Sequence, residues 1–267
     1  MFKLIRRIIR LAILIVVAYL IYVNFDTIKG FFQKNDNKEV QMQEYKISSE
    51  ISELDISLKA ANLQIKNGKK FKIETNSKYI SINFDDDLVE ISEQEHGWLS
   101  VDTKAKLILT MPEESVLEKI TISGGVGKID VDSLKGNKLK LNLDAGKLEC
   151  KNLEIYEKAE INGGSGDTKI LGGNLNDLSL TLDVGKMTLK SSLTGSSNIS
   201  CGVGGSDITL VGIKDDYKIK VKKAIGTFKI SGNSVKDGDT YGNGKNILTI
   251  NGGIGSINID FLETIPV

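Results

Sequence analysis

Protein chemistry concentrates in histidines, cysteines, paired carboxylates and glycine-rich loops, and this chain offers few candidates of each kind. Its single histidine lies in Glu93-Gln94-Glu95-His96-Gly97-Trp98, where strand alternation would put His96 on the face opposite both glutamates. A hairpin turn accounts for that segment, and one histidine cannot supply a two-histidine metal motif. The strings GGVGKIDVD at 124–132 and GGSGDTKIL at 163–171 approach the calcium nonapeptide GGxGxDxUx, but the sixth position is Ile129 or Thr168 where the ligand aspartate belongs. Without those carboxylates a hard cation has no site, and plain turns are expected. GNGK at 242–245 lacks the spacing of a phosphate loop and precedes no helical pattern, so it is read as a turn in an insertion. No catalytic, cofactor-binding or metal-ligating residue is nominated, and no cofactor is expected, because no acid-base pair can be named.

The elements that would have to position any such residue repeat themselves. From Lys119 onward, one glycine recurs at nearly fixed spacing: Gly127, Gly146, Gly166, Gly185, Gly204, Gly226 and Gly255, at intervals of 19, 20, 19, 19, 22 and 29 residues. Five positions before them stand Ile122, Leu141, Ile161, Leu180, Ile199, Val221 and Ile250. Four positions after stand Val131, Cys150, Ile170, Leu189, Ile208, Ile230 and Ile259. Both columns are wholly apolar. Each unit reads as strand, sharp glycine turn, strand, and a connection carrying a further apolar residue such as Leu134, Leu153, Leu175, Leu193 or Ile213.

No such unit buries its own inner face, but successive units stacked as parallel rungs ~4.8 Å apart turn the columns into inward ladders. The fold class expected is all-β, a parallel β-solenoid of ~20-residue strand-GxG-strand repeats. The glycines suit a turn that needs positive φ or close backbone approach. The second and fourth units read Asp144-Ala145-Gly146 and Asp183-Val184-Gly185 where neighbours read GGxG, which leaves their turn geometry open. Cys150 falls in the core ladder and Cys201 three rungs away, ~14 Å at regular stacking and beyond the ~7 Å Cα limit of a disulfide. Both are read as small hydrophobes.

Ahead of the repeats, residues 45–118 also alternate, with Leu54, Ile56 and Leu58, then Leu63 and Ile65, then Phe71 and Ile73. Further short strands are expected at 80–84, 88–91, 98–101 and 107–111, with Asn67-Gly68 and Asp85-Asp86-Asp87 as turns. Residues 24–44 are polar and aperiodic and read as a stalk, and 263–267 as a tail.

Residues 11–23 are uncharged and apolar, and with 4–10 the segment reaches 20 residues, close to the ~20 that cross a bilayer. Lys3, Arg6, Arg7 and Arg10 precede it, and Asn24 and Asp26 follow. The positive-inside rule therefore predicts one transmembrane helix within 1–23, N-terminus cytoplasmic, with everything beyond extracytoplasmic in a cell membrane. A cleavable signal would have to be cut near Val16-Val17-Ala18, leaving about half the apolar run, so an anchor is preferred.

The chain is formally neutral, so the part beyond the basic flank carries −4 and offers no field for nucleic acid. The strings with Met111-Pro112 and 120–131, AEINGGSGDTKIL at 159–171 and LTINGGIGSINIDF at 248–261 resemble a bacterial β-strand-repeat family of proposed adhesins. Its members include proteins encoded beside envelope stress-response genes. The resemblance covers roughly 45–262, carries over no functional residue, and implies a surface module of the cell envelope. A regulatory or interaction module is expected, with adhesion to an external or wall ligand as the alternative. The protein or wall-polymer partner is unnamed by the sequence. A polysaccharide-acting β-helix enzyme is disfavoured, since the outward residues Lys128, Asp130, Lys147, Glu149, Lys169 and Lys186 read as a mixed solvated surface.

Overall fold

The computed structural model describes residues 41–47, 50–94, 104–222 and 225–263. The expected transmembrane segment, nearly all of the stalk, His96, the strand expected at 98–101 and the last four residues lie outside that set. Among the described residues no helix is long and apolar enough to cross a membrane.

The described chain is one sheet wound into a solenoid. The continuous strand Val116–Ile170 carries the first three glycine turns, followed by Ser179–Thr194 and Ser196–Val211 with one each. Parallel registers match anchor to anchor, Gly166 with Gly185 and Gly185 with Gly204, so the apolar columns superimpose as well. All fourteen column residues are buried, none more than 2% exposed. They form a single core with Leu134, Leu153, Leu175 and Leu193. Burial of such aliphatic side chains, at roughly 1.5–3 kcal/mol each, is what a stacked rung gains and an isolated rung lacks.

The anchor glycines are required sterically. All seven have φ between +132° and +145°, including Gly146 and Gly185 in the two aspartate-bearing turns, so those turns share the common geometry. A Cβ on Gly146, Gly166, Gly185 or Gly204 would overlap the carbonyl oxygen of the anchor one rung below.

Rung order departs from chain order at both ends. Stacking in sequence would seat Gly226 on Gly204. Instead Asn246–Leu262 pairs with Ser196–Val211 on one side, Gly255 against Gly204, and with Tyr217–Lys222 and Ile225–Ile230 on the other, Gly255 against Gly226. The irregular intervals supply the reason. Three extra residues before Gly226, ~10 Å of extended chain, let the strand climb past one rung, and the insertion before Gly255 brings the chain back. That insertion also covers the open edge: Asn233–Ser234 and Thr240–Tyr241 add antiparallel pairs to the outermost rung.

The N-terminal end mirrors this arrangement. Glu53–Leu58 lies between Leu88–Glu93 and the start of Val116–Ile170, and Asn62–Gly68 lies between Lys106–Pro112 and the same long strand. Ile80–Asp85 and Lys72–Thr75 cap the outer rung antiparallel, with Gln43–Lys46 beyond. At both ends an early or late strand, Glu53–Leu58 with Asn62–Gly68 and Asn246–Leu262, is thus a penultimate rung paired on both sides, and antiparallel strands cover the outer rung, which blunts edge-to-edge association.

Of the apolar connection residues, Ile213 departs from Leu134, Leu153, Leu175 and Leu193, which are buried. Ile213 is 52% exposed, because the 3₁₀ turn Lys214–Asp216 begins immediately after it and swings its side chain outward. Tyr217, 2% exposed, fills the interior there, donating its hydroxyl to the Val211 carbonyl at 3.1 Å and accepting from the Leu193 amide at 3.3 Å.

Candidate functional surfaces

Each rung turns through the anchor glycine from a pre-glycine face to a post-glycine face, and the two outward surfaces differ in chemistry. On the post-glycine face stand the residues singled out from sequence, all outward and partly or fully exposed. Their charges are mostly neutralised across rungs or within them. Lys128 pairs with Asp130 at 2.6 Å, Lys151 with Asp132 at 2.7 Å, Lys186 with Asp207 at 3.3 Å, and Lys147 with Asp167 at 3.8 Å. The Asn258 amide and then Lys186 hold the Asp207 carboxyl below the usual range, while Asp132 beside Lys151 and Asp130 beside Lys128 raise those ammonium groups. Such exposed pairs contribute little stability each and leave a salted, self-satisfied surface.

The pre-glycine face carries a different set. Four positions before the anchors from Gly127 to Gly204 and Gly255 stand Ser123, Asn142, Asn162, Thr181, Ser200 and Asn251, joined two positions earlier by Ser179, Asn198 and Thr249. These are neutral hydrogen-bonding side chains in ranks one rung apart, while the same columns also hold Lys140 and Glu160, paired at 3.9 Å, and Lys220 and Lys222 on the outermost rung. Asn162 donates to Asn142 Oδ1 at 2.9 Å, and Asn251 donates to Asn198 Oδ1 at 2.7 Å and Ser200 Oγ at 3.2 Å. Each side-chain amide and hydroxyl in such a rank keeps capacity toward solvent after its lateral bond. The sequence reading missed this face, although the −4 column of Ser, Asn and Thr is visible once the glycines are aligned.

A depression of about 180 Å³ beside Asn62, Gln64, Lys106, Lys128 and Asp130 is smaller than the ~300 Å³ at which small-molecule pockets begin. Among the described residues no group of three or more His, Cys, Asp or Glu is gathered for a metal. Ile129 and Thr168, at the calcium-motif ligand position, point into the core at 2% and 3% exposure. Cys150 is buried and burial pushes its thiol up to about 12; Cys201 is half-buried, accepts from Ser206 Oγ at 3.2 Å and is also raised by burial. Both are free.

One buried carboxyl group has a structural use that the sequence did not disclose. Glu93, 6% exposed, accepts through Oε2 from three consecutive amides, Lys59 at 2.7 Å, Ala60 at 2.8 Å and Ala61 at 3.0 Å. It closes a glycine-free corner between Glu53–Leu58 and Asn62–Gly68 by satisfying donors that would otherwise be orphaned.

A family model described as Toastrack DUF4097 matches residues 34–239. The chain belongs to that family. The match stops before Asn246–Leu262, yet that strand is a full rung of this Toastrack domain with pairs on both sides. Several solved structures are similar. A proposed cell adhesion protein from Clostridium sporogenes is 19% identical, with 83% of this chain and 99% of that one covered and a TM-score of 0.38. A proposed adhesin from Bacteroides fragilis is 16% identical, with 84% and 98% covered and a TM-score of 0.39. A proposed adhesin from Parabacteroides distasonis is 13% identical, with 85% and 98% covered and a TM-score of 0.42. At these scores the neighbours lend no residue and no ligand to this Toastrack chain. No curated protein matches it.

Proposed function

We propose that this Toastrack protein is a non-catalytic interaction module of the bacterial cell envelope, held by a single N-terminal membrane anchor, with its solenoid extracytoplasmic and a part in the envelope-stress response. The observation that carries the interaction role is the contrast between the two faces. The post-glycine face is closed on itself by cross-rung ion pairs, whereas the pre-glycine face presents neutral donors and acceptors on consecutive rungs. Solenoids bind through extended faces of this kind, without a focal cluster. The basic flank and apolar run of residues 1–23 support the anchor. Adhesion to a neutral wall or external glycan is the second reading, favoured by the neutral column Ser123, Asn142, Asn162, Thr181, Ser200 and Asn251 on six consecutive rungs.

The test is face-specific. A photocrosslinker at Asn162 or Ser200 in living cells is expected to yield at least about threefold more adduct than one at Lys169 or Lys190, as the contrast in surface chemistry requires. Protease added to wall-stripped cells is expected to release the 45–262 domain. A membrane-protein adduct favours the regulatory module, and a saccharide adduct the adhesin. Equal or reversed labelling of the faces removes the interaction assignment, and complete protease protection removes the topology.

A further inference from the structure

The corner between the two faces carries a third surface. One position before each anchor the side chain points out of the turn, and in rung order these residues run Val126, Ala145, Ser165, Val184, Val203, Ile254 and Ile225. The last four form an unbroken apolar ridge, 49%, 49%, 53% and 68% exposed, extending ~14 Å over four rungs. Its flanks are small: Gly202 and Gly253 stand beside Val203 and Ile254 on one side, and Gly205, Ser256 and Thr227 follow on the other. Backbone crowding imposes the first two glycines but not Gly205, whose Cβ would meet only Ser256 Oγ at an ordinary 3.7 Å.

The same end of the solenoid is basic. Residues 214–245 contain eight lysines and four aspartates in a chain of zero net charge. Lys218, Lys220 and Lys222 line the outward side of Tyr217–Lys222, and Lys229 stands on the other side of Ile225. Their neighbours on the inner strand, Ile247, Thr249, Asn251 and Asn258, bring no carboxylate, and on the outer side the return loop brings Asp239 opposite Val221. None of the four lysines forms an ion pair among the described residues.

We propose that the ridge Val184–Val203–Ile254–Ile225, with Lys220, Lys222 and Lys229, docks on an anionic lipid surface. Apolar side chains enter the headgroup boundary while flanking lysines meet the anionic headgroups, the combination that gives reversible surface binding. Two other occupants each explain half of the surface. A second copy would match the ridge, but roughly 400 Å² per copy falls short of the ~1,200 Å² total of a stable interface, and it would oppose one basic rung to another. A soluble anionic polymer would match the lysines and leave the ridge bare. The proposal rests on the envelope placement above, and its readout is separable from that of the anchor.

The full chain, carrying Trp98→Phe and Ile225→Trp, is mixed with phosphatidylcholine vesicles or equimolar phosphatidylcholine–phosphatidylglycerol vesicles containing acyl-brominated lipid. Flotation with phosphatidylcholine alone reports the anchor. Quenching of the new indole reports the ridge whether or not the anchor holds. Emission is expected to fall at least about twofold with phosphatidylglycerol and little without it, the quenching lost when Lys220, Lys222 and Lys229 are all changed to Gln. An indole at Thr188, outward on the post-glycine face, is expected to stay bright. Quenching independent of phosphatidylglycerol, no quenching at all, a ridge-dependent crosslinked dimer instead of quenching, or burial of the indole by soluble polyphosphate would each overturn the proposal.

Discussion

Gly185→Ala is expected to destabilise the domain by about 4 kcal/mol or more, the range of a backbone conflict that nothing can relieve. At φ +140° an L side chain is strained in any case, and here the added Cβ would overlap the carbonyl oxygen of Gly166 in the rung below. The overlap is with backbone already committed to the ladder, so no rotamer change relieves it. The matched control is Gly205→Ala, at ordinary φ with its nearest contact at 3.7 Å, expected to change stability by less than about 0.5 kcal/mol. Thermal unfolding of the two variants, followed by circular dichroism, checks the pair. Similar melting curves would mean that the glycine ladder is not what sets rung spacing.

Ile170→Asp is expected to have an effect of the same size, about 4 kcal/mol, from burying a carboxylate with no partner and losing the aliphatic contact. Ile170 is wholly buried and registers with Leu189 in the next rung. Its neighbour Lys169 points outward and is exposed, and Lys169→Asp is expected to be nearly neutral. Equal losses at the two sites, measured by chemical denaturation, would contradict the inward assignment of the post-glycine column.

Much of the interior was legible before any coordinates, and the reason is physical. A rung that repeats must put the same residue type at the same depth, so period, anchor and both columns are properties of the sequence itself. Rung order was not legible in the same way. Parallel pairing between identical columns is degenerate: Val221 and Ile230 fit against Ile199 and Ile208 as well as against Ile250 and Ile259, and periodicity alone does not choose. The intervals of 22 and 29 were the available clue, since only an irregular connection can skip a rung. The exposed ridge escaped for another reason. Alternation from Leu180 and Leu182 would bury Val184 too, but the chain turns at Asp183 and the parity is lost at the corner. Glu93 escaped because nothing local marks an acid whose donors lie more than thirty residues earlier. The contrast between faces was present as a column of Ser, Asn and Thr, and required reading outward positions with the attention given to inward ones.

The penultimate placement of Asn246–Leu262 gives the domain a timetable. A chain emerging from its N-terminus completes the Gly204 and Gly226 rungs before the strand that belongs between them exists. In that interval the two rungs have matching anchors and columns and nothing to hold them apart, so they can close on each other, one layer short. The last strand then has to open that closed pair to enter. Such long-range, late pairing is intrinsically slow and exposes unpaired edges while it waits. The period between the emergence of Tyr217 and of Leu262 is therefore when a neighbouring copy can donate its own final strand, and once Leu262 is seated that route is shut.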